Sequence, residues 1–275
     1  MEFGFVIPFG GAQTIANLAV DAESAGWDAI FLPELLWGID PWVSLTAAAM
    51  RTERIRLGTM LSPLPVLRPW KLASESATLD NLSKGRVILS VGLGAVDAGM
   101  KEFGIVTDRK VRAEILDEAL EIISKLWSAK SFNFKGKHFN IAEQTFFVPP
   151  PPLQKPRIPI WVVGAFQFGK SLSRALKFDG LIPTTVQGKR ARAPSEKELK
   201  EISEYVREHR TIPSPYDIIV EGTTPGDNLE LAIRKASAWE AAGATWWIEA
   251  AWQLTDNTSG RETLRERILS GPPRE

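Results

Sequence analysis

The chain has 275 residues, 44% of them hydrophobic and 24% charged, the balance of a soluble globule with a full core. Its 33 basic residues are matched by 33 acidic ones, which leaves no electrostatic case for nucleic acid. The absence of cysteine excludes disulfides, thiolate metal sites and a cysteine nucleophile, and two distant histidines, His138 and His209, argue against a metal site or a Ser-His-Asp triad.

No apolar run approaches the roughly 18 residues that span a bilayer. The opening Met1-Glu-Phe-Gly-Phe-Val-Ile-Pro lacks a basic region and reads as a first strand, so a cytoplasmic chain in a single domain over 1–275 is expected. Strand Phe3–Ile7 is followed by a helix over Thr14–Ala25 that Gly26 stops. Strand Ala29–Leu32 precedes a helix opened by Asp40 as cap and Pro41 in its first turn. Strand Ile55–Met60 leads to a helix over Trp70–Leu82, and strand Val87–Val91 runs into the glycine- and alanine-rich stretch 92–104.

Apolar residues at 115, 116, 119, 120, 122, 123, 126 and 127 mark a long helix over Arg109–Trp127. Residues 131–148 read as a small β excursion turning at Lys135-Gly136-Lys137, followed by the stiff linker Pro149–Pro152. Strand Ile160–Val163, helix Gly169–Phe178 and strand Gly180–Pro183 come next. Residues 187–195 read as a polar, basic, mobile loop. A helix over Ser195–Arg210 carries the capping-box spacing Ser195/Glu198. Strand Ile218–Glu221, helix Leu229–Ala242, strand Trp246–Ala250 and a short helix Glu262–Ile268 with a frayed tail complete the chain.

Eight short strands, apolar without alternation, suit burial on both faces, and their alternation with helices predicts an α/β fold, the (β/α)8 TIM barrel. A doubly wound sheet fits less well, because Pro8-Phe-Gly-Gly-Ala-Gln lacks the dinucleotide glycine spacing. In a barrel the site forms at the strand C-termini. That rule selects Glu34 after strand 2, with Trp37 nearby as aromatic wall; Gly92-Leu93-Gly94-Ala95 after strand 4; Gly164-Ala-Phe-Gln-Phe-Gly-Lys170-Ser171 after strand 5; and Glu221, Glu249 and Trp252 after strands 7 and 8. Each has a plainer reading. Glu34 can be an ion-paired cap, Gly92–Gly94 a tight turn, the strand 5 segment an ordinary βα loop, and Glu221 and Glu249 structural carboxylates. His138 and His209 read as surface residues.

Several segments together resemble the bacterial-luciferase-like family of flavin-dependent oxidoreductases. They are Ala25-Gly-Trp-Asp-Ala-Ile-Phe-Leu32, Arg51-Thr-Glu-Arg-Ile-Arg-Leu-Gly-Thr59, Leu79-Asp-Asn-Leu-Ser-Lys-Gly-Arg86 through Gly94, Arg112-Ala-Glu-Ile-Leu-Asp-Glu118, and Pro159-Ile-Trp-Val-Val-Gly164. The match runs in order over about residues 1–185 and weakens beyond. The resemblance implies a barrel that binds reduced FMN or the deazaflavin coenzyme F420. Thr59, Met60, Leu61 and Ser62 match the place that cradles the ring, often through a bulge with a non-proline cis peptide. Gly92, Leu93, Gly94 and Ala95 match the place beside the ring, and Val163, Gly164, Ala165 and Phe166 with Lys170 and Ser171 match the phosphate site.

Many F420-using members carry Asp-His at the strand 2 exit and some a glutamate at the strand 4 exit; here those places hold Pro33-Glu34 and Ala95. The resemblance therefore speaks against the sugar-phosphate dehydrogenase branch and offers Glu34 as the replacement catalytic group. The expected activity is oxygen insertion by reduced FMN and O2 into a small hydrophobic substrate, with F420-dependent hydride transfer as the alternative. A non-catalytic flavin-binding barrel is the alternative of another class, and a metal-dependent barrel hydrolase is disfavoured by the two stray histidines. Tryptophans 37, 246, 247 and 252 suggest an apolar or aromatic substrate. By analogy with the family, a separate flavin reductase and a homodimer through the helices after strands 2 and 3 are expected partners.

Overall fold

The computed structural model describes residues 1–143, 149–187 and 190–274. Eight parallel strands close on themselves: β1 (Glu2–Val6), β2 (Ala29–Leu32), β3 (Arg56–Thr59), β4 (Val87–Gly92), β5 (Ile160–Ala165), β6 (Gly180–Gln187), β7 (Asp217–Gly222) and β8 (Trp246–Glu249). Each pairs with the next, and β8 returns to β1 through Trp246↔Glu2 to Glu249↔Phe5. Around them lie α1 (Ala12–Ser24), α2 (Pro41–Ala49), α3 (Pro69–Leu82), α4 (Arg109–Trp127), α5 (Gly169–Ala175), α6 (Glu196–His209), α7 (Leu229–Ala241) and α8 (Thr258–Leu269). This is the expected (β/α)8 barrel.

Alternation along each strand sorts side chains into two cores. Outward residues such as Phe5, Ile30, Leu57, Leu89, Val162 and Trp247 pack against the helices. Inward residues, among them Val6, Phe31, Ile88, Trp161, Ile219, Trp246 and Ile248, fill the barrel axis. Trp161 meets Phe31 and Trp246 at ring-centroid distances of 5.4 and 5.0 Å. Three such rings fit because their neighbours lack side chains: a Cβ on Gly180 would lie 2.4 Å from Trp161 Cδ1, and one on Gly58 2.7 Å from both Phe31 Cε1 and the Ile88 carbonyl oxygen. The second of those contacts is backbone and cannot step aside. Gly58→Ala is accordingly expected to cost about 1–3 kcal/mol through overpacking, read as a lower denaturant midpoint at unchanged slope.

The helix starts follow their caps. The Asp40 side chain accepts from Val43 N, with Pro41 in the first turn, and Ser195 and Glu198 form the full capping box. Three expectations need correction. Residues 187–195 are not simply a loop, because β6 continues to Gln187 and turns back as Arg190–Arg192, pairing Ala191↔Val186 and Arg192↔Thr185. The last helix begins at Thr258, since the Asn257 side chain caps it by accepting from Gly260 N at 2.8 Å, a signal stronger than the glycine inside it. The tail is anchored: Arg274 ion-pairs with Asp28 and its guanidinium lies 5.1 Å over the Phe3 ring. The expected β excursion after α4 holds Phe134–Lys135 paired with Asn140–Ile141; its residues 144–148, like 188–189 of the expected loop, lie outside the described residues. No helix among the described residues is long and apolar enough to cross a membrane.

Candidate active site

The strand C-termini surround a cavity of about 530 Å³. Its floor is set by the exit of β3. The chain leaves β3 at Thr59, bulges at Met60–Leu61 and resumes pairing beside β4 as Ser62–Pro63. The Met60–Leu61 peptide is cis, at the place where the resemblance implied one. The bulge turns Met60 and Leu61 to the cavity, where Leu93, Gly94 and Ala95 from the β4 exit and Val163 and Ala165 from β5 complete a largely apolar wall. Gly92 lies beneath: a Cβ there would crowd Leu61 and Val163 at 3.1–3.3 Å. Gly94 has φ +74°, a left-handed conformation that favours glycine, and a Cβ would meet Pro63 at 2.7 Å.

Glu34, carried just past the end of β2, lines the cavity. The Ser62 hydroxyl donates to its carboxylate, and Ser62 Oγ is 2.8 Å from Thr59 Oγ1, which reaches the Ser90 carbonyl at 3.4 Å. Desolvation pushes the Glu34 carboxyl up to about 7, against the Ser62 hydrogen bond that favours the ionised form. Near neutral pH it is therefore shared between acid and base. Both states suit the hydroxyl pair: as carboxylate Glu34 accepts from Ser62, and as carboxylic acid it can donate while Ser62 turns toward Thr59.

Across the mouth from Glu34, on the α4–α5 side, the cavity is cationic. Arg109, Arg112 and Arg174 line it together with Ser171. Arg112 is 5% exposed, and its Nη1 donates to the Leu93 and Gly94 carbonyls at 3.0 Å each, while its Nε–H has no partner among the described residues. Burial, then neighbouring Arg109, holds the Arg112 guanidinium below the usual arginine range. Arg174 is tied to Asp117 (Nη2 to Oδ2, 2.9 Å), and Arg109 stacks 4.4 Å from the Phe168 ring centroid. Ser171 Oγ accepts from Ala165 N at 3.1 Å, which leaves its proton free to be donated.

Other expected site residues lie off this cavity. Lys170 is exposed in the first turn of α5 and does not line it. Gly164 faces the outer core, where a Cβ would lie 2.5 Å from Leu181, and Phe166 packs outward against Tyr205. Trp37 is 85% exposed, Trp246 fills the barrel axis and Trp247 the outer core, so Trp252 alone of the four singled out lines the cavity. Glu249 points outward and is saturated, accepting from Thr224 N and Oγ1 at 2.7 Å each and from Trp247 and Arg267 at 3.2 Å, which makes it a structural anchor for the β7 exit. Glu221 lies two residues beyond the axial Ile219, hence on the axis side, and accepts from Trp252 Nε1 at 2.9 Å. His138 pairs with Glu114 and His209 stacks on Tyr205, both away from the site.

Sequence reading missed the three arginines. Arg112 was detectable: it stands on the same stripe as Leu116, Ala119 and Ile123, a charge on a core-facing helix surface. Arg109 and Arg174 carried no such signal. Among the described residues, no group of three or more His, Cys, Asp or Glu could hold a metal.

A family model described as luciferase-like monooxygenase matches residues 1–270. An F420-dependent glucose-6-phosphate dehydrogenase from Amycolatopsis mediterranei (strain U-32) is 31% identical over 192 residues, 65% of this chain and 55% of that protein, so the match spans about half the length of that curated relative. An F420-dependent secondary alcohol dehydrogenase in complex with an F420-acetone adduct superposes with a TM-score of 0.75 over 98% of both chains at 18% identity. The oxygenating constituent of 3,6-diketocamphane monooxygenase from Pseudomonas putida, in complex with FMN, gives 0.67 over 85% of this chain and 70% of that one at 23% identity. Both structures share the fold.

Proposed function

The chain belongs to the luciferase-like monooxygenase family, and from that premise we propose that it is an F420-dependent oxidoreductase interconverting an alcohol and a carbonyl compound. The observation that carries this reading is Glu34, a carboxyl on the cavity wall poised near neutrality and backed by Ser62 and Thr59. Reversible hydride exchange at a carbonyl carbon needs a partner that gives and takes a proton at the oxygen, and a group with this acid strength serves both directions.

The donor set fits the cofactor. Arg109, Arg112, Arg174 and the Ser171 hydroxyl suit its anionic phosphate side, while Met60, Leu61, Leu93, Gly94, Ala95, Val163 and Ala165 offer an apolar slot for a flat ring. The deazaflavin, when bound, supplies hydride chemistry. The chain then supplies position, dryness and the proton. The apolar walls exclude water, which strengthens every polar contact inside. Glu34 as acid donates to the carbonyl oxygen during reduction and as carboxylate takes the hydroxyl proton during oxidation. Ser62, donating to the carboxylate, holds it in place between turnovers.

Reduced FMN with O2, the activity first expected from the resemblance, is the second reading, favoured by the apolar lining that would keep water out of the cavity while the flavin, when bound, would supply oxygen chemistry; a separate reductase belongs with it. The F420 reading is at least as well supported, since named relatives include F420-dependent dehydrogenases as well as an FMN monooxygenase. The expected homodimer would use α2 and α3, where Val43 and Trp70 are exposed. Titration of the purified protein with F420 and FMN, oxidised and reduced, separates the readings. Tight F420 binding with anaerobic alcohol-dependent F420 reduction supports the first; selective binding of reduced FMN with oxygen consumption replaces it with the second.

A further inference from the structure

The cavity is divided by charge. Among the described residues, its cations, Arg109, Arg112 and Arg174, all come from α4 and α5. The opposite side, built from the exits of β2, β7 and β8, brings Glu34, Leu35, Leu36 and Trp252 to the cavity and places Glu221 behind Trp252. No lysine or arginine among the described residues lines that side. The nearest cations at the β7 exit are already engaged: Lys235 donates to the Thr223 carbonyl at 2.6 Å and Arg267 to Thr224 and Glu249. Ala95 places a methyl group on the cavity beside the β4 exit.

Trp252 is the one large side chain of this side that is both on the cavity and held. It is 46% exposed, on the segment after β8 and outside the folded core, yet its indole N–H donates to Glu221 Oε2 at 2.9 Å. That bond fixes which ring face meets the cavity. Among the described residues the Glu221 carboxylate accepts from no donor other than Trp252, and burial raises its carboxyl above the ordinary range, against the Trp252 contact. A phosphorylated ligand here would face the Glu34 carboxyl and, among the described residues, no cation. A neutral ligand finds an apolar wall, a flat indole, and the Glu34 carboxyl as its hydrogen-bond partner.

We propose that Trp252, held in place by Glu221, is the substrate-side wall of this cavity and selects neutral, apolar alcohols and carbonyl compounds against sugar phosphates. The choice of alcohol and carbonyl chemistry rests on the proposed function above; the selection of neutral over phosphorylated ligands rests on the charge division alone.

The test is calorimetric binding of 1-phenylethanol, glucose 6-phosphate and benzylamine to the full chain, with and without saturating oxidised F420. Binding of 1-phenylethanol that weakens about tenfold in Trp252→Ala and recovers in Trp252→Phe is expected, the size of one aromatic contact. Glu221→Ala is expected to weaken it several-fold by releasing the indole, and Glu221→Gln, which keeps an acceptor, to restore it. Glucose 6-phosphate binding as tight as that of 1-phenylethanol overturns the proposal. So does stronger binding of benzylamine, which would make the acidic side a cation site, or no change in Trp252→Ala. Absence of 1-phenylethanol binding under both conditions also overturns it. Failure of F420 to bind removes the proposed function instead, and the titrations without F420 still decide the role of Trp252.

Discussion

Glu34→Gln is expected to lower turnover by about 10²–10⁴-fold, the usual contribution of a positioned general acid or base, while F420 affinity stays within about twofold of the parent. Glutamine keeps the shape of the side chain and an oxygen that can accept from Ser62, but it neither gives nor takes a proton. The pH profile sharpens the test. With the carboxyl at about 7, carbonyl reduction needs the protonated form and should decline as pH rises through about 7; alcohol oxidation needs the carboxylate and should decline as pH falls through it. Both limbs should vanish in Glu34→Gln. Ser62→Ala should move them upward, because it removes the hydrogen bond that favours the ionised form. Equal turnover in Glu34→Gln would leave the carboxyl a structural group.

The same shift carries a stability signature. A carboxyl whose folded value is raised above the ordinary 4.5 binds its proton more tightly when folded than when unfolded. Its favourable contribution is full below about 4.5 and is lost as pH rises toward and through about 7. The parent should therefore lose unfolding midpoint between pH 5 and pH 8 relative to Glu34→Gln, which carries no such titration. Buried carboxyls that contribute to catalysis by staying near neutrality weaken the fold at the pH where they work.

Much of this site could be read from the chain because barrel geometry converts sequence position into place. Strand ends go to one mouth, so Glu34 and Leu93 to Ala95 were found by position, while Met60, Leu61 and Val163 came from the family resemblance. What position alone did not determine was which way a side chain turns. In Trp246-Trp-Ile-Glu249 both strand faces are apolar, as they must be when axis and helices are both dry, so parity cannot be read from hydrophobicity. The structure turns Trp246 and Ile248 inward and Trp247 and Glu249 outward, and Glu249 thereby becomes an anchor for Thr224. Gly164 fell to the same ambiguity, one residue out of step with Val163 and Ala165. Lys170 and Arg174 show a different limit: four residues apart, they share one side of the short α5, yet the lysine in its first turn is exposed while the arginine, tied to Asp117, lines the cavity, so helical spacing could not tell them apart.

Arg112→Met is expected to weaken binding of F420 and FMN by about 10–100-fold, whereas Lys170→Ala should leave both within about twofold. Arg112 acts twice. Its Nη1 holds the Leu93 and Gly94 carbonyls at 3.0 Å, which fixes the β4 exit against which the ring slot is built, and its charge adds to the cationic side with Arg109 and Arg174. Charge-assisted hydrogen bonds contribute about 1.5–3 kcal/mol each, and every 1.4 kcal/mol is about tenfold in affinity. Methionine matches the length and apolar stem but leaves two carbonyls without their donor. Arg112→Lys should recover only part of the loss, because one ammonium cannot reproduce a planar fork that holds two carbonyls and still has an Nε–H to spare. Riboflavin, which lacks the phosphate, separates the two roles. If Arg112 serves mainly the anion, riboflavin affinity falls much less than FMN affinity; if it serves mainly the β4 exit, both fall together. Undiminished affinity for all three ligands in Arg112→Met, with Lys170→Ala weakened, would return the phosphate side to the exposed lysine and remove the cationic α4–α5 wall from the cofactor's site.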